Sequence, residues 1–402
     1  MIDEVVKLIL LFIYAFSFLY FIKKEKRTVL YATIVFVNFG ILTSLILIEY
    51  GMFIYEQQIT GFENNSFYVF FVYSISSLLL FHFLSLKKSF LITDFRSKEK
   101  NVFIIISLIF CIVLLYSIYN NPDYTRFDIF NGPFKMIFVR IEYLFAFVFI
   151  YSLFRTRKVN KKTIIFFIYC MLMYLRGSQF GAFMIATIWL FTAFYLEKGK
   201  LNIKWILIFS VLLIIPFAIK VSLNDLLVIF QRIVMEGHVF WGTINQLNQN
   251  GSSLDFSGFI SNYNDLLSGF QQGNIEYGFG KLMHEISPHF AEMSLKAGVR
   301  FAAGYPAILL YHFGSFFGII FHLFFTYIYF LLMQYLIYCF KYKDVFFSYI
   351  IYMFYMIYND FMIQGEYAHF RVKFLIKVVI ISFIVFLYKN YSKNKKLIVA
   401  TN

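Results

Sequence analysis

The sequence predicts an all-α polytopic membrane protein with about eleven transmembrane helices and one large external helical loop. Three observations predict it. Sixty per cent of the 402 residues are hydrophobic and only 14% are charged, with 57 Phe and 31 Tyr; a soluble domain of that make-up would be coated in apolar surface. Apolar runs near the bilayer-spanning length of about 20 residues recur along the chain. The basic residues fall in every second gap between those runs, as the positive-inside rule requires.

The spans read as 5–22, 28–48, 67–86, 101–119, 136–154, 163–175, 180–196, 205–221, 314–340, 345–363 and 372–388. The sixth is short for a full crossing. Asp3 and Glu4 precede the first run and the cluster KKEKR follows it at 23–27. This is the reverse of a cleavable signal, and it reads as a permanent helix with its N-terminus outside. The segments 23–27, 87–100, 155–162, 197–204, 341–343 and 389–396 then become cytoplasmic and hold 23 of the 36 Lys and Arg. The net charge of +14 is therefore mostly a topology signal, and a nucleic-acid surface is the weaker reading of it. The C-terminus falls in the cytoplasm.

The chain divides into helices over 1–221, a polar external segment over 222–300, and a return to the membrane over 301–402. A connection as long as 222–300 is usually functional or a small domain. Apolar positions 226, 230, 233, 240, 244 and 247 recur near the helical period, interrupted at Gly237. Arg232 and Glu236 stand one turn apart on that helix. Ser287-Pro288 reads as the N-cap and first position of a second helix, with Glu292 and Lys296 one turn apart and Gly298 as its stop.

Several chemistries lose their motifs. No DxD-type carboxylate pair lies on an external loop, so the usual divalent-metal site of a sugar-transfer enzyme is missing. GFGK at Gly278–Lys281 lacks the length of a phosphate-binding loop. HEISPH at His284–His289 is not a zinc helix, because Pro288 keeps its two histidines off one helical face. Gly-x-Ser-x-Gly is absent. Cys111, Cys170 and Cys339 sit in apolar runs with no pairing or metal spacing. No metal and no cofactor are expected.

What remains is a set of cations at helix ends. Arg176 opens RGSQFG between the sixth and seventh spans, where backbone N–H groups and a guanidinium make an anion site, or a lipid anchor. Arg300 and His312 lie in RFAAGYPAILLYHFG, in which Gly304-Tyr305-Pro306 is a turn or helix start. Arg176, Arg232 and Arg300 together could grip a diphosphate in bidentate fashion; the alternative is three unrelated surface arginines. His369 and Arg371 flank the mouth of the last span as site residues or anchors. Arg140 and Glu142 read as a structural pair, and His82 and His322 as satisfied core histidines.

The RGS turn, the late external segment and RFAAGYPAILLYHFGSFFG leading back into apolar sequence make the chain similar to the O-antigen polymerases (Wzy family), relatives of the O-antigen ligases. That resemblance implies a GT-C-like membrane fold in the bacterial inner membrane. It implies a substrate on undecaprenyl diphosphate, the growing glycan being moved to the next lipid-linked oligosaccharide unit at the periplasmic face without metal or nucleotide sugar. It implies membrane lipid and a chain-length regulator protein as further partners, and no nucleic acid. The family's functional arginines would match Arg176, Arg232 and Arg300, with Tyr305 and Arg371 as further substrate-binding residues. In such a transfer, arginines stabilise the charge growing on the leaving phosphate. His312 is the first candidate for the base that activates the attacking hydroxyl, and Glu285 the second. Three alternatives stand: a ligase with a lipid A-core acceptor, a lipid-linked glycan flippase, and a scaffold without chemistry. A flippase would more often show repeated halves and midplane charges.

Overall fold

A computed structural model of the chain describes residues 2–51, 64–87, 112, 147–151, 153–154, 188–193, 195–196, 223–250, 278–288, 291, 304–342 and 345–365. Among the described residues there is no strand, and nearly all of them are helical. The longer elements are α1 (Ile2–Lys24), a 3-10 helix (Lys26–Tyr31), α2 (Ala32–Glu49), α3 (Ser66–Lys87), α4 (Leu223–Asn250), α5 (Gly278–Ile286), α6 (Ala307–Tyr342) and α7 (Val345–Gln364). Among the described residues, four stretches, Asp3–Lys24, Lys26–Glu49, Ser66–Leu86 and Ala307–Lys341, are long and apolar enough to cross a membrane. The first three correspond to the first three expected spans. The fourth contains the expected span 314–340, and α7 occupies the expected span 345–363. The described residues are thus almost entirely helical, as an all-α membrane protein would be. The spans expected at 163–175, 205–221 and 372–388 lie outside the described residues, as do 101–119 and 136–154 for most of their length.

The sequence explains the hand-over from α1 to α2. Lys23 and Lys24 close α1, where cations favour a helix C-terminus. Glu25 then caps the 3-10 helix, its Oε1 accepting from the Arg27 N–H at 3.1 Å and from Arg27 Nε at 2.8 Å. Burial draws the Glu25 carboxyl upward, but the bonds from the Arg27 side chain and backbone outweigh it and hold that carboxyl below the usual range. Beyond this turn α2 runs back along α1, with Asn38 Nδ2 donating to the Tyr14 hydroxyl at 3.3 Å.

At the Asp3 end an ion cluster centred on the buried Lys7 and Glu49 side chains ties three helices. Lys7 Nζ lies 2.8 Å from Glu49 Oε2 and is also paired with Asp3. Glu49 Oε1 accepts from Ser66 Oγ at 2.7 Å and from the Phe67 N–H at 3.2 Å, so it caps the start of α3. Tyr68 donates to Asp3, and the Lys7 ammonium stands over the Tyr68 ring.

Helix α4 lies against α2. The Gly237 N–H donates to Ser44 Oγ at 2.8 Å, and a Cβ on Gly237 would come within 2.5 Å of that oxygen. Glu236 reaches Gly40, in the middle of α2. Asn64 Nδ2 donates to the Trp241 carbonyl at 2.9 Å, and Phe240 packs on Phe70 and Tyr73 of α3. The external segment expected over 222–300 therefore begins with a helix applied to the flank of α2. Gly237, read as an interruption, is helical, and its bare Cα permits the close approach.

The core is aromatic. Tyr31, Phe81, Tyr329, Tyr352 and Tyr355 are all fully buried, and Trp189 donates to the Tyr355 hydroxyl at 3.0 Å. Helix α7 runs antiparallel to α6: Phe325 faces Phe361, and the Tyr329 hydroxyl donates to Asn359 Oδ1 at 3.3 Å. On α6, Phe316, Ile320 and Phe324 are exposed at one-turn spacing, a stripe suited to lipid.

A candidate site at the fold-back of α6

Helix α6 is two helices. Gly314 has φ 68° and ψ −176°, a left-handed φ open to glycine and strained for other residues. Residues 307–313 form a half-helix, and 315–342 a long helix beginning at the expected boundary of the ninth span. The two halves fold against each other. The rings of Phe313 and Phe321 stack at 4.3 Å, and Gly318 approaches Leu309 and Leu310 so closely that a Cβ would sit 3.3 Å from the Leu309 oxygen. In a straight helix Tyr305 and His322 would stand about 25 Å apart. Here the Tyr305 hydroxyl is 2.8 Å from His322 Nδ1.

That contact sets the depth of the Gly304–Pro306 turn. His322 is eight residues past the bend, about 12 Å along the helix, so the turn is sunk by that distance below Gly314. The end of α7 meets it there: the Tyr305 N–H points to the Ile363 carbonyl at 3.4 Å, and Gly365 touches Gly304. The bend itself lies beside the first turns of α3, since the Tyr73 hydroxyl donates to the Ser315 carbonyl at 3.3 Å. The half-helix thus climbs from a sunken turn to the Asp3 end of the bundle. Pro306 immediately precedes it, and the Pro306 carbonyl accepts from the N–H groups of both Leu309 and Leu310.

His312 stands on the half-helix and is 1% exposed, so its imidazole belongs to the interior of the fold-back. Tyr305 is buried too, and its hydroxyl is engaged by His322. Glu285 is on α5, half-exposed and 3.9 Å from Lys281 Nζ, while its backbone carbonyl accepts from Gln246 Nε2 of α4 at 2.6 Å. Leu282, Met283 and Ile286 bury the other face of α5, and Ile286 fills the space that Gly242 leaves bare. Helix α5 packs on both α4 and α6. Arg232 falls within α4, with its side chain outside the described residues. Arg176, Arg300 and Arg371 also lie outside them. Among the described residues, no group of three or more His, Cys, Asp or Glu is placed to hold a metal ion.

Helix α5 was not anticipated, although its signal is in the sequence: Phe279, Leu282, Met283 and Ile286 follow the i, i+3, i+4, i+7 pattern. The Ser287-Pro288 start is present, with the Ala291 N–H donating to the Ser287 carbonyl at 2.8 Å. His82 and His322 are satisfied histidines. His82 Nδ1 is 3.0 Å from Thr28 Oγ1 and its ring stacks on Phe21. Both nitrogens of His322 are bonded, Nδ1 to Tyr305 and Nε2 to the Tyr73 carbonyl at 3.1 Å.

Residues 272–378 are similar to a protein family described as a family of unknown function (DUF6418). That stretch holds α5, the fold-back and α7. The chain matches no curated protein and no solved structure.

Proposed function

We propose that this protein is a polymerase of oligosaccharide repeat units carried on undecaprenyl diphosphate. It transfers the growing glycan to the next lipid-linked unit at the external face of the bacterial inner membrane. The observation that supports the reading is the fold-back at Gly314: a half-helix rises from a turn about 12 Å deep toward the Asp3 end and carries His312 near its top, about 3 Å below the bend. A lipid-linked diphosphate presents its reactive bond near the membrane surface, at the level where His312 stands. In this reading the Asp3 end faces outward, as the charge pattern of the sequence requires. Arg176, Arg300 and Arg232 bind the diphosphate and take up the charge on the leaving phosphate. His312 accepts the proton of the attacking sugar hydroxyl, with Glu285 on the neighbouring helix as the alternative base.

The test is reconstitution with a lipid-linked repeat unit and a gel for ladder formation, with and without chelator. Wild-type protein should build a ladder in both. Arg300→Ala and Arg176→Ala should insert normally and lose long chains, while His312→Ala should lower turnover by about 100-fold or more, the usual worth of a general base. Normal ladders in both arginine variants would remove the diphosphate pocket. Attachment of single units to a lipid A-core acceptor, with no ladder, would favour the ligase reading.

A further inference from the structure

We propose that His322 is the positioning residue of this site: it pins the sunken turn through Tyr305 and so sets where His312 stands. The proposal rests on the reading of His312 as the base.

The hydrogen-bond directions are fixed by the partners. The Tyr73 carbonyl can only accept, so His322 Nε2 carries the hydrogen across 3.1 Å. Nδ1 is then the lone pair, and the Tyr305 hydroxyl donates to it across 2.8 Å. The imidazole is a neutral bridge in one tautomer, with one end on the α3 backbone and the other on the turn. Both nitrogens are occupied, which leaves His322 no atom with which to take a proton from a substrate.

The piece it holds cannot orient itself. Residues 307–313 are too few for a stable helix on their own. Four contacts give it direction: Leu309 and Leu310 against bare Gly318, Phe313 on Phe321, the Tyr305 N–H on the Ile363 carbonyl of α7 at 3.4 Å, and the Tyr305–His322 bond. The first two are apolar and tolerate sliding and the third is long, whereas the Tyr305–His322 bond at 2.8 Å fixes distance and angle. His312 lies seven residues beyond Tyr305 on the same short element, so a shift at Tyr305 is carried to His312. A displacement of about 1 Å is enough to cost about 100-fold in rate.

The measurement is kcat and KM of purified full-length protein with a lipid-linked repeat unit, comparing His322→Gln, His322→Asn, Tyr305→Phe and the double variant His322→Gln/Tyr305→Phe, with His312→Ala as reference. Glutamine keeps a donor for the Tyr73 carbonyl and loses the acceptor for Tyr305. Asparagine can place its carbonyl near the Nδ1 position and keep that acceptor. His322→Gln and Tyr305→Phe should each lower kcat by about 10- to 100-fold, with KM within about threefold of wild type. The double variant should be no slower than the worse single one, as expected of two residues acting as a unit. His322→Asn should recover part of the rate. Wild-type kcat in both His322→Gln and Tyr305→Phe, while His312→Ala is inactive, would overturn the positioning role and leave the polymerase reading standing. A raised KM at unchanged kcat would overturn it as well, because it would make Tyr305 a substrate contact. Full turnover by His312→Ala would remove the base, and the positioning role with it.

Discussion

Lys7→Met should destabilise the protein by about 3–5 kcal/mol, measured by unfolding of the purified chain in detergent. The Lys7 side chain is 6% exposed and that of Glu49 is 1% exposed. Removing one member of such a pair strands the other charge in a low-dielectric interior, and that stranding, rather than the lost attraction, is the main cost. Glu49 cannot turn to water, since its other oxygen is committed to the Ser66 hydroxyl and to the Phe67 N–H at the start of α3. The double variant Lys7→Met/Glu49→Leu separates the two contributions. With both charges gone the stranding disappears, and most of the stability should return. It should still fall about 1 kcal/mol short of wild type, the worth of the cap that Glu49 provides to α3. A single variant as stable as wild type would mean that water reaches this cluster. A double variant no better than Lys7→Met alone would mean that the cap, not the charge, dominates.

The sequence carried the broad architecture because lipid enforces it. Apolar runs of spanning length and cations at alternate ends follow from single-residue transfer energies, so α1, α2, α3 and the long part of α6 are legible from composition alone. The start of that long part at Gly314 was legible too, because glycine and the polar Ser315 follow the aromatic run. What the sequence could not show is what the half-helix does. Ala307–Phe313 reads as apolar chain approaching a span, and only the Tyr305–His322 contact shows that it doubles back. His322 looks like any histidine in a greasy helix; its importance comes from two partners 17 and 249 residues away. The pairing of Lys7 with Glu49 was hidden for a similar reason, since each residue reads alone as an interfacial charge at a helix end. The Gly237 contact shows the same limit, because a glycine marks a possible approach without naming the helix that comes close.

Gly365→Ala should break the join between α7 and the sunken turn, and comparison with Gly365→Asn should show why. Gly365 ends α7 at φ 72°, its N–H donating to the Phe361 carbonyl at 2.8 Å. The left-handed φ alone costs a non-glycine residue about 1–2 kcal/mol. The second cost is contact. A Cβ at this position would lie 2.8 Å from both the carbonyl carbon and oxygen of Gly304 and 3.0 Å from the Tyr305 nitrogen. All three are backbone atoms, so no side chain can swing aside, and the turn must move away from α7. Asparagine tolerates the left-handed region better than alanine, yet it carries the same Cβ. If the conformation is the main cost, Gly365→Asn should regain much of the stability lost in Gly365→Ala. If the contact with Gly304 is the main cost, as the distances indicate, the two variants should be equally impaired. Both should then also show the lowered kcat of Tyr305→Phe, because the turn that carries Tyr305 would have shifted. Thermal unfolding of the two variants side by side decides between the causes. Wild-type stability in Gly365→Ala would show that α7 and the turn do not meet.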